Sequence, residues 1–360
     1  MSTALSGPTK ALGQNMYLGL NLAFQHENDL QKKFHYKITV LDDKYEPDLS
    51  AKNMRILTED KKILAILGNV GTPTANVSVP IANEKKILFF GAFTGAGILR
   101  KIPPDKYIIN YRASYRQETS YMIDMLLNNG IKAEEIAFFT QNDAYGDAGY
   151  YGAVSALEKR GFNKINTLAH GRYRRNTLNV EDGLISILDA QIDPKAIIIV
   201  GAYAPVAKFI HLAKEDFPSA LFLNVSFVGS NALKKALNKN ISNVLVTQVV
   251  PHFTSKLRIV KEYLSVLSHY EKNEIFSFVS LEGYIVGRLF IEALKNIPEK
   301  NINKENIIKA FENIKDFDIG LGFTSGFSKN NHQFSNKIWL TLLKNNQYIE
   351  FKWDLLNKED

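Results

Sequence analysis

The 360-residue sequence contains no cysteine, which excludes disulfide staples, thiolate catalysis and cysteine-ligated metal centres. The compartment stays open, because an exported protein can lack cysteine. No apolar stretch reaches the roughly 20 residues that a membrane-spanning helix needs. Metal-ligand spacing is missing too. The seven histidines (His26, His35, His170, His211, His252, His269 and His332) never form a pattern such as HExxH and read as single surface side chains. Gly68 to Thr74 lacks the Gly-Lys-Ser/Thr ending of a phosphate-binding P-loop. Gly91 to Gly97 is glycine-rich without matching GxGxxG. In Gly322-Phe323-Thr324-Ser325-Gly326 the serine stands one place too late for a nucleophile elbow. No nucleophile is paired with a base in sequence. The expectation is a protein that is not an enzyme and uses no metal or cofactor; turnover lost in a site mutant would revive the enzyme reading.

What is present points to a folded, two-domain chain. Hydrophobic residues make up 45%, charged residues 22% and aromatics 11%, a globular balance sufficient for sizeable cores. The net charge is +7, but the lysines are scattered and mostly have acids nearby, as in Glu84-Lys85-Lys86 and Lys214-Glu215-Asp216. A nucleic-acid groove binder concentrates its charge on one face or in a run, so no nucleic-acid partner is expected. Residues 1–12 carry no apolar signal core. Ser2-Thr3-Ala4-Leu5-Ser6-Gly7-Pro8 reads like the end of a strand entering a turn, with the strand itself nearly absent. An upstream segment, with a signal peptide, is therefore expected to be missing.

Strand and helix patterns alternate along most of the length. The first series is a helix over Gln14–His26, a strand over Lys37–Leu41, a helix over Leu49–Thr58, a strand over Ile63–Leu67, a helix over Thr74–Asn83 interrupted at Pro80, and a strand over Ile87–Phe90. Tyr107 to Arg116 breaks the rhythm and reads as a crossover. The second series has strands over Ile136–Thr140, Ile165–Ala169, Ala196–Val200, Leu221–Val225 and Val244–Val250, with helices between them. Three successive helices (Ser255–His269, Leu281–Lys295, Lys304–Asn313) and a strand-like tail (Lys337–Leu343, Gln347–Trp353) follow. The fold class is α/β, with parallel sheets in two lobes that face each other across a cleft.

In open parallel sheets ligands bind beyond the carboxyl ends of the strands, where helix N-termini offer N–H groups. In the first lobe those positions hold Gly68-Asn69-Val70-Gly71-Thr72-Pro73-Thr74 and Gly91-Ala92-Phe93-Thr94-Gly95-Ala96-Gly97. Glycine lets the backbone come close and threonine hydroxyls donate or accept, which suits a carboxylate or amide. One such loop reads as a helix cap; two in adjacent βα units read as a site. In the second lobe, Tyr145 and Tyr203 are aromatic walls with polar tips. Asp143 either meets a cationic group or caps the next helix, and Asp147 reads first as a cap. Arg112 and Arg116 either reach an anionic ligand or pair with local acids such as Glu118. Gln248, His252 and Glu282 are further cleft candidates.

Several of these motifs stand in order at family intervals: Ala4-Leu5-Ser6-Gly7-Pro8, Leu41-Asp42-Asp43, Gly68 to Thr74, Asn142-Asp143-Ala144-Tyr145-Gly146, Gly201-Ala202-Tyr203 and Ser280-Leu281-Glu282-Gly283-Tyr284. Through them the chain resembles type I periplasmic solute-binding proteins of the leucine/isoleucine/valine-binding branch over nearly its whole length. The resemblance implies two Rossmann-like lobes joined by three crossovers, with lobe 1 over 1–113 plus 252–322 and lobe 2 over 114–251 plus 323–360. The Gly320–Gly326 run would be the third crossover. The resemblance implies a ligand held between the lobes by hinge closure. It carries the contacts with the ligand's carboxylate and with part of its ammonium to Thr72, Ala92 and Thr94, with Gly71 as neighbour. It carries the aromatic contacts to Tyr145 and Tyr203. Asn69 and Phe93 lie in the same loops, Phe93 hinting at an apolar ligand moiety. Two departures stand out. Ser226 occupies the place of the acid that faces an amino acid's ammonium, and the family's first-lobe disulfide falls at Tyr45 and Gly71. Candidate ligands are amino acids, amides, ureas and carboxylates. The implied partner is the permease of an ABC importer and the implied location periplasmic, with the protein acting as a monomer. The competing reading is a ligand-sensing domain of a membrane receptor or a cytosolic amide-type sensor.

Overall fold

The computed structural model describes residues 1–30, 33–190, 192–238, 241–295 and 297–356. The chain divides into two compact units, Met1–Ala113 with Val250–Lys337, and Ser114–Val249 with Ile338–Asp360. The last four residues of the expected second lobe, 357–360, lie outside the described residues. The final switch between units comes after Lys337, not in the Gly320–Gly326 run. The reason is local pairing. Phe317 and Ser325 exchange both backbone hydrogen bonds, Asn110 N–H donates to His332 and Ser335 N–H donates to Tyr111, so 323–337 is tied to first-unit backbone.

The first unit begins with β1 (Ser2–Thr3), α1 (Lys10–Leu30), β2 (Leu41–Asp42), α2 (Pro47–Glu59), β3 (Ala65–Leu67), α3 (Thr72–Glu84), β4 (Leu88–Phe90) and β5 (Ile108–Ile109). All its strand pairs are parallel, but they form two pieces, β1-β2 and β3-β4-β5. The expected strand over Lys37–Leu41 shrinks to Leu41–Asp42, since only there does it find a partner strand. Pro80 does not interrupt α3. Its ring is exposed, so the missing N–H and the bulk of the ring fall on the solvent side.

The second unit runs α4 (Tyr115–Asn128), β6 (Ile136–Gln141), α5 (Ala144–Lys159), β7 (His170–Tyr173), α6 (Glu181–Leu188), β8 (Ala196–Val200), α7 (Tyr203–Asp216), β9 (Leu221–Asn224), α8 (Ser230–Leu237) and β10 (Val244–Gln248). The chain then adds α9 (Arg258–Tyr270), α10 (Phe278–Lys295) and α11 (Lys304–Glu312) to the first unit. It returns to the second unit with β11 (Trp339–Lys344) and β12 (Gln347–Glu350). The resulting sheet has the order β12-β11-β10-β9-β8-β6-β7. Its central strands are parallel, and the tail adds two antiparallel strands. The central strands β6, β8, β9 and β10 are buried throughout, as sheets covered on both faces require. The strand expected over Ile165–Ala169 is instead a short 3-10 turn, and β7 follows it. Ile165 is exposed to intermediate degree or more, whereas Gly171 and Tyr173 alternate inward on this edge strand.

Helix α1 packs on α10 through a glycine contact. A Cβ on Gly19 would lie 1.9 Å from Ser280 O, and one on Gly283 would lie 2.5 Å from Met16 O. Both obstacles are backbone atoms, which cannot rotate away. Gly19→Ala should therefore lower unfolding stability by about 1–3 kcal/mol or more through overpacking. Urea denaturation checks this; an unchanged midpoint would contradict the backbone-to-backbone crossing.

Candidate functional site

In the first unit, β3 and β4 pair in parallel, with Ala65 opposite Leu88 and Leu67 opposite Phe90. The pairing continues past the strand ends. Phe93 N–H donates to Asn69 O at 2.8 Å and Gly71 N–H donates to Phe93 O at 3.2 Å. Two loops at adjacent strand ends thus travel side by side and bring the hydroxyls of Thr72 and Thr94 to 2.7 Å. The Thr94 hydroxyl also accepts from Ala96 N–H at 3.3 Å. Thr72 is the first residue of α3, which starts without a side-chain cap. Thr74 turns its hydroxyl back to Val70 O at 2.5 Å and Gly71 O at 3.0 Å. The capping reading of this loop therefore does not hold for its threonines. The positive end of α3 and two hydroxyls share one spot, a chemistry suited to anionic oxygen.

Gly71 has φ +104, and a Cβ there would lie 2.1 Å from Tyr45 Cε2. Tyr45 is fully buried. At the two positions where the resemblance puts a disulfide, an aromatic ring lies directly on a glycine. Asn69 sits in the same loop, but its side chain is built into the fold. Its Oδ1 accepts from Ser2 N–H at 2.9 Å, and its Nδ2 lies 3.5 Å from Met54 Sδ. Ala92 and Phe93 are buried at 3% and 1% exposure. The Arg112 guanidinium carbon stands 4.7 Å over the Phe93 ring, a cation–π contact. Arg112 Nη1 is 3.7 Å from Glu282 Oε2, with side chains 1% and 2% exposed. Arg100 fixes the approach to this segment by donating to Arg112 O at 2.9 Å and to Gln333 Oε1 at 2.7 Å.

In the second unit, Asp143 is the N-cap of α5. It accepts from Tyr145 N–H at 3.0 Å, from Gln141 Nε2 at 2.8 Å, and pairs with Arg175 at 3.4 Å. Asp147 pairs with Arg172 at 2.5 Å rather than capping. Tyr145 is fully buried. Its hydroxyl donates to Gly201 O at 3.3 Å, and its ring packs against Tyr115 and Phe227 at 5.2 and 4.6 Å. It thereby joins the strand-end loops after β6, β8 and β9. Tyr203 opens α7 at the same end of the sheet.

Ser226 stands at the loop after β9, and its N–H and hydroxyl both donate to Glu118, at 2.8 and 3.0 Å. Thr247 adds a third donor to the Glu118 carboxylate at 2.6 Å. Glu118 is fully buried in the first turn of α4. These three donors satisfy the buried oxygens of the Glu118 side chain. Arg116 instead reaches Ser155 Oγ at 2.8 Å, not Glu118. Gln248 ties Ser230 to Thr341 at 2.7 and 3.1 Å. His252 bonds Thr254 at 2.7 Å and lies against Phe253.

Sequence reasoning missed two organisers of this region. Tyr173 accepts from Ala202 N–H at 2.8 Å and donates to Gln141 Oε1 at 3.0 Å. It thereby fixes the loop that carries Tyr203, and its burial pushes its own ionisation well above the ordinary tyrosine range. The other is Glu118, which sequence reading had treated only as a partner for nearby arginines. Its bonds to Ser226 and Thr247 span 108 and 129 residues, a separation at which no local pattern signals contact.

Among the described residues no helix is long and apolar enough to cross a membrane. A search of curated proteins finds no match. A possible leucine/isoleucine/valine-binding protein from Rhodopirellula baltica SH 1 is 47% identical. The match covers 99% of this chain and 96% of that one, with a TM-score of 0.94. A substrate-binding periplasmic protein from Ralstonia solanacearum, 23% identical over 97% of this chain and 98% of that one, has a TM-score of 0.85. A branched-chain amino acid ABC transporter protein from Thermus thermophilus with bound valine shares the fold. It is 16% identical over 98% of this chain and 94% of that one, with a TM-score of 0.82. The family model for periplasmic binding proteins matches residues 1–347. With the paired strand-end loops of two α/β units and a relative of 47% identity, the chain belongs to the periplasmic binding protein family.

Proposed function

We propose that this protein captures a small carboxylate-bearing solute between its two units, closes on it by hinge motion, and delivers it to the permease of an ABC importer without chemical turnover. The observation that carries the reading is the Thr72–Thr94 hydroxyl pair at 2.7 Å, set at the uncapped start of α3. A carboxylate there would gain two hydroxyl donors and helix N–H groups. Tyr145 and Tyr203 would cover the solute from the second unit, and Phe93 would stand beside its apolar part. Gly71 and Ala92 would supply close backbone approach. The solved relatives named for leucine, isoleucine and valine, or holding valine, make an aliphatic chain the natural apolar part.

The ammonium side is weaker. Burying an ammonium needs a counter-charge. Ser226 offers no acid and is itself committed to Glu118. Asp143 is occupied by its cap, Gln141 and Arg175. The carboxylate is therefore the anchor, and the proposal extends to carboxylates that lack an amino group. As a member of an exported family, the protein is proposed to act as a monomer outside the cytoplasm, carried there by an upstream signal. Its absence from a periplasmic fraction would contradict that part.

Removing the hydroxyl in Thr72→Ala should weaken binding of L-leucine or isocaproate about 10- to 100-fold, the cost of a hydrogen bond to a charged group. Thr72→Ser should restore it. Titration calorimetry reads this, and equal affinity in wild type and Thr72→Ala would overturn the anchor. Small-angle scattering on the same samples should show a smaller radius of gyration with ligand. An unchanged radius at saturation would contradict hinge closure.

A further inference from the structure

Arg112 and Glu282 form an ion pair within the first unit, Nη1 to Oε2 at 3.7 Å, with side chains 1% and 2% exposed. Its place follows from the course of α10. A Cβ on Gly91 would lie 2.4 Å from Val286 Cγ1, so Val286 packs on the residue that follows β4. Phe290 and Leu294, further along α10, line a cavity together with Ile63, Leu64 and Ala65 at the start of β3. The helix therefore runs from the carboxyl ends of these strands back towards their amino ends. Glu282 precedes Val286 by one helical turn, about 6 Å, and so lies at the edge that holds Thr72 and Thr94.

Two contacts tie the pair to the threonines. The Arg112 guanidinium carbon stands 4.7 Å over the ring of Phe93, the chain neighbour of Thr94. Arg100 donates to Thr94 O at 3.4 Å and to Arg112 O at 2.9 Å, so one guanidinium spans both backbones. Arg100 itself is half-buried, and solvent screens its charge. The field of the buried pair reaches its surroundings. Burial first, and Glu282 second, push the Tyr111 hydroxyl well above the usual tyrosine range, while Arg112 opposes them. Among the described residues, the other buried acids of this unit are turned elsewhere. Asp43 accepts from Ser2 Oγ and Tyr45 N–H, and Glu27 pairs with Arg288.

We infer that Glu282 is a specificity-determining residue: held against Arg112, it makes the Thr72–Thr94 site select a solute of zero net charge, an α-amino acid over the carboxylate that lacks the amino group. The inference rests on the carboxylate anchor proposed above. A bare carboxylate adds one negative charge to an edge whose buried charges, Arg112 and Glu282, already cancel. An uncompensated buried charge is costly. An α-amino acid brings its own ammonium, and the field of Glu282 supplies the negative charge that Ser226 does not. Without Glu282 the balance inverts. Arg112 then serves as counter-charge to a bare carboxylate, and an ammonium meets a net positive wall.

The test is titration calorimetry of the full chain with L-leucine and with isocaproate, for wild type, Glu282→Gln and Glu282→Asp. Wild type should bind L-leucine the more tightly. Glu282→Gln should cut that preference by about tenfold or more, the effect of one charge acting across several ångströms of protein, chiefly by binding isocaproate more tightly. Glu282→Asp keeps the charge and should keep the preference. Thr72→Ala should weaken both ligands alike, which separates the anchor from the selector. An unchanged preference in Glu282→Gln, or equal losses for both ligands there, would overturn the inference and leave Glu282 a structural partner of Arg112. Tighter binding of isocaproate than of L-leucine by wild type would overturn it even where Glu282→Gln fails to fold. Binding of neither ligand by wild type would remove the anchor itself, and the inference with it.

Discussion

The parallel register between Ala65–Leu67 and Leu88–Phe90 is the constraint on which the Thr72–Thr94 hydroxyl pair depends. Parallel strands end on the same edge, so the loops that leave them must start together. Here the pairing runs on through Val70 and Phe93, and that extra step brings Thr72 and Thr94 into contact. A one-residue slip would turn one of the hydroxyls to the opposite face. The threonine pair is thus a property of strand pairing, held by backbone hydrogen bonds and by Tyr45 seated on Gly71.

The second unit solves a different problem, the burial of polar and charged groups. Glu118 is a polar side chain with no exposure, and its oxygens need hydrogen-bond donors around them. Ser226, in the turn after β9, supplies two and Thr247, in β10, supplies the third. Asp143 is satisfied in the same way by a cap and two side chains. These arrangements hold the loops rigid around Tyr145. They also leave Ser226 and Asp143 engaged with the protein, which is why the account rests on a carboxylate anchor.

Much of the architecture was legible in the sequence because buried parallel strands appear as short apolar runs between helical patterns. Ala196–Val200 reads directly as β8. Legibility failed where a strand is polar or its partner is distant. β7 (His170–Tyr173) lies at a sheet edge and carries histidine and arginine, so the apolar-run rule pointed to the residues before it. The last switch between units was misplaced because the pairing of Asn110 with the 332–334 segment spans more than two hundred residues. The proposed site shows the same division. Thr72, Thr94 and Tyr145 were singled out by loop position, and Asp143 was named with two roles open, cation partner or helix cap. The work of Glu118 and Tyr173 was hidden because it consists of contacts between elements far apart in sequence.

The carboxylate anchor is tested most directly by thermal denaturation with three matched probes: L-leucine, isocaproate, which lacks the ammonium, and L-leucinamide, which lacks the carboxylate. A ligand that binds only the folded state raises Tm by mass action. The account predicts that L-leucine and isocaproate raise Tm and that L-leucinamide does not. Stabilisation by L-leucinamide with none from isocaproate would contradict it, and would place recognition on the ammonium.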